Sequence, residues 1–247
     1  YSIRPGVAIE RYLAAVAVAR DAVREGRMAK AVIARPSVVE SDQPIDVHAV
    51  LLRLKATFGS SYRFSIDGFI GASPELLVEV EGDVVRAHPL AGTTRTTGNP
   101  ELDAQLAAEL QASPKNRIEH DAAIAMVRDT LLPYCSYLDW APEPSIVKVA
   151  NVQHLGSRAE GMLSKPTATV VDLVRALQPT PAVGGHPREA ALALITEVEG
   201  FERGLYGGTV GWVDGQGNGT WAVSLRCAEL SADRRSARLV AGGGIVA

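Results

Sequence analysis

A lysine, two glutamates and an arginine stand out in this chain of 247 residues, because their surroundings give them few ordinary reasons to be charged. Arg226 lies in Thr220-Trp221-Ala222-Val223-Ser224-Leu225-Arg226-Cys227-Ala228-Glu229-Leu230. That stretch reads as an alternating apolar strand, where a charge is costly unless paired. A further strand ends in Ala241-Gly242-Gly243-Gly244-Ile245. Its glycines let backbone N–H groups approach an anion closely, or form a turn or bulge. A guanidinium fork and bare amides together suit a small carboxylate ligand. Lys30 leads into Ala31-Val32-Ile33-Ala34. It is either a strand-end lysine with its ammonium in water or a buried one that can act as a general base. Glu75, in Gly71-Ala72-Ser73-Pro74-Glu75-Leu76-Leu77, sits at a turn between apolar strands. It is either solvated, as Glu79 is read to be, or desolvated by Ile70 and Leu77 and able to donate a proton. Glu119 falls near one helical face with Ala123 and Val127. It either complements the helix dipole or, facing inward, partners a cation such as Mg²⁺. His154 sits within a strand and reads by default as a hydrogen-bonded core histidine; His186 reads as a capping residue, and His48 and His88 show no pairing logic.

These residues are carried by elements that follow from pattern. Helical spacing of apolar residues predicts helices over 9–26, 46–58, 101–111, 114–132, 167–177 and 187–198. The second is expected to be N-capped within Ser41–Pro44, and Pro114 after Ser113 marks the start of the fourth. Strands are expected over 28–39, with Pro36 at an edge or bulge, and over 62–71 and 76–87, with a turn at Asp83. One or two more are expected in 145–161, and three at the C-terminal end, while 91–100 reads as a Thr- and Gly-rich loop. Clusters of strands and helices without βαβ alternation predict an α+β fold of packed antiparallel β-sheets flanked by helices.

Bulk properties narrow the function. The composition, 47% hydrophobic and 21% charged, is that of an ordinary globular protein. A net charge of -3 gives no reason to expect nucleic acid or an anionic membrane as partner. Cys135 and Cys227 are far apart and lack metal-ligand spacing, which fits a reducing cytoplasm. No signal peptide or membrane span is evident. One domain over 1–247 is expected, shortened at both ends because the chain opens on Tyr1 and stops just past a strand.

Five segments in order give a resemblance: Lys30-Ala31-Val32-Ile33-Ala34-Arg35, Ala72-Ser73-Pro74-Glu75, Pro89-Leu90-Ala91-Gly92-Thr93, Val152-Gln153-His154-Leu155, and Leu225-Arg226 with Ala241-Gly242-Gly243-Gly244-Ile245. Together they resemble the chorismate-binding enzymes, a family that includes isochorismate, salicylate, anthranilate and aminodeoxychorismate synthases. The stretch from Phe201-Glu202-Arg203 to Arg226-Cys227-Ala228 looks most like the isochorismate synthase branch of enterobactin type.

The resemblance implies roles. Arg226, Tyr206 and the amides of Gly242, Gly243 and Gly244 would hold the pyruvyl carboxylate of chorismate. Gly92, Thr93 and His154 would line its ring. Mg²⁺, gripped by Glu119 and a second acidic residue, would hold the ring carboxylate. Lys30 would take a proton from water attacking C2, and Glu75 would protonate the departing C4 hydroxyl, giving isochorismate. The amine-bearing lysine of the aminodeoxychorismate type is replaced by Ala91. The threonine of the salicylate type is replaced by Ala182, a substrate-lining position without a hydroxyl, which favours release of isochorismate. A salicylate synthase and a non-catalytic chorismate-binding domain are the alternatives. Asn116 stands where the family pattern is acidic, and the family's further metal-binding glutamates would lie beyond Ala247. The resemblance thus implies an Mg²⁺-dependent isomerase without an amidotransferase subunit. With the cysteine usage it is expected in the cytoplasm, and as a monomer because nothing in the sequence demands a partner subunit.

Overall fold

The structure is a computed structural model and describes residues 1–246. Its elements run β1 (Ser2–Pro5), α1 (Ile9–Arg24), β2 (Lys30–Glu40), α2 (Val47–Thr57), β3 (Tyr62–Ile66), β4 (Phe69–Ser73), β5 (Leu76–Glu81), β6 (Val84–His88), β7 (Leu90–Arg95), α3 (Pro100–Ala112) and α4 (Pro114–Leu131). They continue β8 (Cys135–Trp140), β9 (Ser145–Val149), β10 (Val152–Gly156), β11 (Ala159–Leu163), α5 (Val170–Leu177), β12 (Gly185–His186), α6 (Arg188–Val198), β13 (Thr209–Val213), β14 (Gly219–Val223), β15 (Cys227–Leu230) and β16 (Ser236–Val246). Every strand pair is antiparallel, so the expected α+β class is what the chain adopts.

Two compact units divide the chain. The first comprises Tyr1–Ser73, Val183–Gly208 and Ser224–Ala247, the second Pro74–Ala182 and Thr209–Val223.

The first unit is built on one sheet, ordered β1-β2-β16-β15-β4-β3, with β12 pairing the start of β2. Alanines at helical spacing make α1 a thin buried stripe: Ala15, Ala19 and Ala22 lie with Val23 against Ala31 and Ile33 of β2 and Leu194 and Ile195 of α6. The helix stops in a Schellman turn, where Gly26 takes a positive φ and Arg27 N–H donates to the Ala22 carbonyl at 3.0 Å. β16 runs beside β2 for eleven residues, which places Gly242, Gly243 and Gly244 opposite Ala34, Ile33 and Val32. The glycine triplet is therefore strand, not turn or bulge.

The second unit holds a six-stranded sheet, ordered β13-β14-β5-β6-β11-β8, and a three-stranded sheet, β7-β10-β9. Pro114 occupies the first turn of α4 and the Ser113 side chain accepts from Asn116 N–H, as the sequence predicts. Thr169 and Asp172 form a reciprocal capping box on α5.

Several boundaries differ from expectation. The N-cap of α2 is Asp46, whose carboxylate accepts from Ala49 N–H, and not a residue of 41–44. Residues 62–71 form a hairpin, because Asp67 and Gly68 both take positive φ, the geometry of a tight two-residue turn. Part of the expected 91–100 loop is strand β7, held by pairing with β10. Three strands occupy 145–163, while β1 and β8 were not anticipated. Pro36 lies inside the sheet, where β1 leaves it: Gly6 N–H donates to the Pro36 carbonyl at 2.8 Å and the ladder ends. The strand expected over 220–230 breaks after Val223. Arg226 takes φ +50° just before β15, so it sits at a kink and not within an alternating strand.

Candidate active site

In the first unit, Lys30 opens β2 and is only 2% exposed. It lies opposite His186 of β12 and Val246 of β16, so both neighbouring strands enclose it. Sequence reasoning places His186 as a cap of α6. The N-cap there is Pro187, which has no capping side chain, and His186 is exposed in β12.

The strand that carries Lys30 is clamped by two residues that sequence reasoning missed. Glu199, 4% exposed, accepts from Ala34 N–H at 2.7 Å. Arg203 pairs with both Glu199 oxygens, its Nε at 2.8 Å. It also donates to the Val183 carbonyl at 2.6 Å and the Val32 carbonyl at 2.7 Å. Burial of this ion pair is tolerated because carboxylate and guanidinium meet in a fork with added backbone bonds. The only hint in the sequence is the four-residue spacing of Glu199 and Arg203 across the end of α6.

The same guanidinium lies 5.9 Å from the Tyr206 ring centroid. The Tyr206 oxygen accepts from the Gly242 amide, and burial pushes the phenol's pKa up. A Cβ on Gly242 would stand 2.9 Å from that oxygen, so glycine is what permits the approach. The structure thus joins Tyr206 to the glycine triplet directly. Arg226 lies over the Phe58 ring at 5.7 Å, and burial lowers its pKa.

In the second unit, β7 and β10 bring three expected residues together. Thr93 stands opposite His154, and Thr93 Oγ1 lies 2.9 Å from His154 Nδ1. That nitrogen is also 3.4 Å from the Gly92 carbonyl. Gly92 has φ +74° and lies so close to α4 that a Cβ would meet that of Asn116 at 3.1 Å. Asn116 Nδ2 donates to the Ser113 cap at 2.9 Å. Half-buried Glu119 follows one turn along α4. Among the described residues, no group of three His, Cys, Asp or Glu side chains converges on a cation position. Glu119 would offer one carboxylate and Asn116 an amide oxygen, a partial set of the kind Mg²⁺ accepts when substrate oxygens and water complete it.

Glu75, 3% exposed, joins β4 to β5 in sequence, and its carbonyl accepts from Val223 N–H at 3.1 Å. It lines a narrow apolar pocket with Thr180, Pro181 and Ala182, so the structure puts the expected proton donor beside the expected specificity position. In the sequence, Thr180 shows only as part of the segment that carries Ala182.

His120 of α4 is fully buried, with Nε2 2.9 Å from Ser157 Oγ. Burial lowers its pKa to about 4, which marks it as a neutral structural histidine. Glu79, read as a solvated turn residue, lies in β5, where it accepts from Thr220 Oγ1 at 3.1 Å and faces Arg86 at 3.5 Å.

Among the described residues, no helix is long and apolar enough to cross a membrane. A Mycobacterium tuberculosis protein provisionally named isochorismate synthase MenF is 43% identical over 249 residues, covering 96% of this chain and 67% of that protein. Isochorismate synthase DhbC of Bacillus subtilis is 38% identical, covering 100% of this chain and 64% of its own length. The crystal structure of a Bacillus anthracis protein, provisionally described as a 2,3-dihydroxybenzoate-specific isochorismate synthase, DhbC, superposes with a TM-score of 0.93 at 35% identity. That match covers 99% of this chain and 67% of the other. The chain therefore spans about two thirds of the length of these relatives. Chorismate binding enzyme is the family whose pattern matches residues 4–247, and with relatives this similar the chain belongs to that family.

Proposed function

We propose that this chain is the catalytic part of an isochorismate synthase, an isomerase that converts chorismate to isochorismate. The observation that carries the reading is a lysine and a glutamate buried to 2% and 3% exposure, in a chain 38–43% identical to proteins named isochorismate synthases.

Lys30 takes a proton from the water that attacks C2. Glu75 gives a proton to the C4 hydroxyl as its bond to carbon breaks, and the ring double bonds shift between the two positions. Acid and base act at opposite ends of one allylic displacement, each worth roughly 10²–10⁴-fold. Arg226, the Tyr206 hydroxyl and the Gly242–Gly244 backbone bind the pyruvyl carboxylate, where one charge-assisted hydrogen bond contributes about 1.5–3 kcal/mol. Thr93 and His154, fixed by their mutual hydrogen bond, orient the ring from β7 and β10, and Gly92 leaves room beside them.

Glu119 and the Asn116 amide oxygen are the groups that would hold Mg²⁺. When bound, the metal supplies positive charge to the ring carboxylate. Water as nucleophile removes the need for an amidotransferase subunit, and the chain acts as a monomer in the cytoplasm. Isochorismate is released without elimination of pyruvate, because Ala182 brings no hydroxyl to the pocket it shares with Glu75.

The test is a product assay. The protein is incubated with chorismate and Mg²⁺, with and without EDTA, and products are separated by chromatography. An EDTA-sensitive isochorismate peak is expected. Salicylate as the main product would overturn the subfamily reading, and binding of chorismate without turnover would overturn the catalytic one.

A further inference from the structure

Thr180 is 4% exposed, and its hydroxyl has no hydrogen-bond partner among the described residues. A buried hydroxyl left unpaired costs stability, so a group in this state needs an explanation. The pocket it lines supplies one. Among the described residues that line it, Glu75 and Thr180 have the only polar side chains; the other side chains, including those of Leu77, Pro89, Ala123 and Val127, are apolar. The free space measures about 10 Å³ for the centre of a water-sized guest. That is the room a single water occupies, and a water is held only where polar partners meet it.

We propose that Glu75 and Thr180 form a one-water subsite, in which the Thr180 hydroxyl holds the oxygen that leaves the substrate. The inference rests on the proposed isochorismate synthase reaction. Before reaction, the C4 hydroxyl donates its O–H to Thr180 Oγ1, which turns an oxygen lone pair toward the Glu75 carboxyl. Glu75 then passes its proton to that oxygen. The C4–O bond breaks, with its electron pair going to oxygen, and the product is one water. Two acceptors remain for its two O–H groups: the Glu75 carboxylate and Thr180 Oγ1. In the reverse direction the same pair holds water for attack at C4, with Glu75 taking back the proton. The other lining side chains offer the water no polar partner, and the space holds no second one.

Two measurements test this. The first is a crystal structure of the ligand-free protein at a resolution that shows ordered water. One water bonded to Thr180 Oγ1 and the Glu75 carboxyl is expected in the wild type and absent in Thr180→Val; a dry wild-type pocket overturns the subsite whatever the protein catalyses. The second is steady-state kinetics in both directions. Thr180→Val, which keeps volume and loses the hydroxyl, is expected to lower kcat at least tenfold each way with KM within twofold. Thr180→Ser is expected to recover kcat to within threefold of wild type. Unchanged kcat in Thr180→Val overturns the role in departure even if the water is seen. A wild type that makes no isochorismate removes that role together with the reaction, and leaves the water site to be judged by the crystal structure alone.

Discussion

Lys30 and Glu75 are legible in the sequence because each interrupts an apolar run, and a charge there needs a reason. Burial to 2% and 3% shows that neither is a solvated strand end or turn. Replacing Lys30 by Ala is expected to reduce kcat by about 10²–10⁴-fold, the usual worth of a positioned base. Circular dichroism should meanwhile report an intact fold; full activity in that variant would remove the base assignment. Arg226 was legible as a residue and misread in its setting, since alternation says nothing about a left-handed φ at one position. His120 carries a pH prediction. Its pKa falls from 6.5 to about 4 on folding, so the unfolded chain binds the extra proton first as pH drops. Above pH 6.5 the histidine is neutral in both states and its contribution is constant. Between pH 6.5 and 4 the fold loses about 3 kcal/mol through this group. Urea titrations across that range should show the loss, and His120→Leu should flatten the slope.

At the scale of elements, the sequence displayed what periodicity and capping encode. It hid what depends on partners distant in the chain. Pro114 after Ser113 marks α4, whereas β7 looks like a Thr-rich loop until β10 pairs with it. β8 was missed because only Leu138 among its six residues is buried, so it shows no alternating signal. The Asp67-Gly68 pair has turn chemistry but lies inside a longer apolar run that reads as one strand. The tie between Glu199, Arg203 and β2 could not be read, because Val32 and Ala34 lie more than 160 residues away from their partners. That tie positions the strand beginning at Lys30. Glu199→Ala leaves the Arg203 guanidinium beside Val32 and Val183 without its carboxylate. A loss of about 3–5 kcal/mol is expected. Chemical denaturation measures it, and a loss under 1 kcal/mol would show that the backbone carbonyls alone satisfy the arginine.

On the scale of the whole molecule, neither unit is a continuous stretch of chain. No linker marks the division, and none is needed, since the chain passes from one unit to the other within ordinary connections such as Ser73 to Pro74. The sheet of the first unit is completed only by β15 and β16, with β16 lying between β2 and β15. A chain ending at Val223 therefore keeps all strands of the second unit and loses the centre of the first. Hydrogen exchange on that shortened chain is expected to show protection lost from β2 and β4 and retained in β5 and β6. Retained protection in β2 would mean that α1 and β1 suffice to hold it.

The place of β16 also sets a timetable for the ribosome. The strand that covers one whole edge of β2 is made about 200 residues after β2 itself. At roughly 5–20 residues per second, that is a wait of roughly 10–40 s. Until then Ala31, Val32, Ile33 and Ala34 lack the strand that pairs with that edge, and an apolar segment without its partner is the kind a neighbouring chain can pair with. Shielding that segment during translation, or slowing synthesis so that few such chains coexist, is expected to favour folding over association.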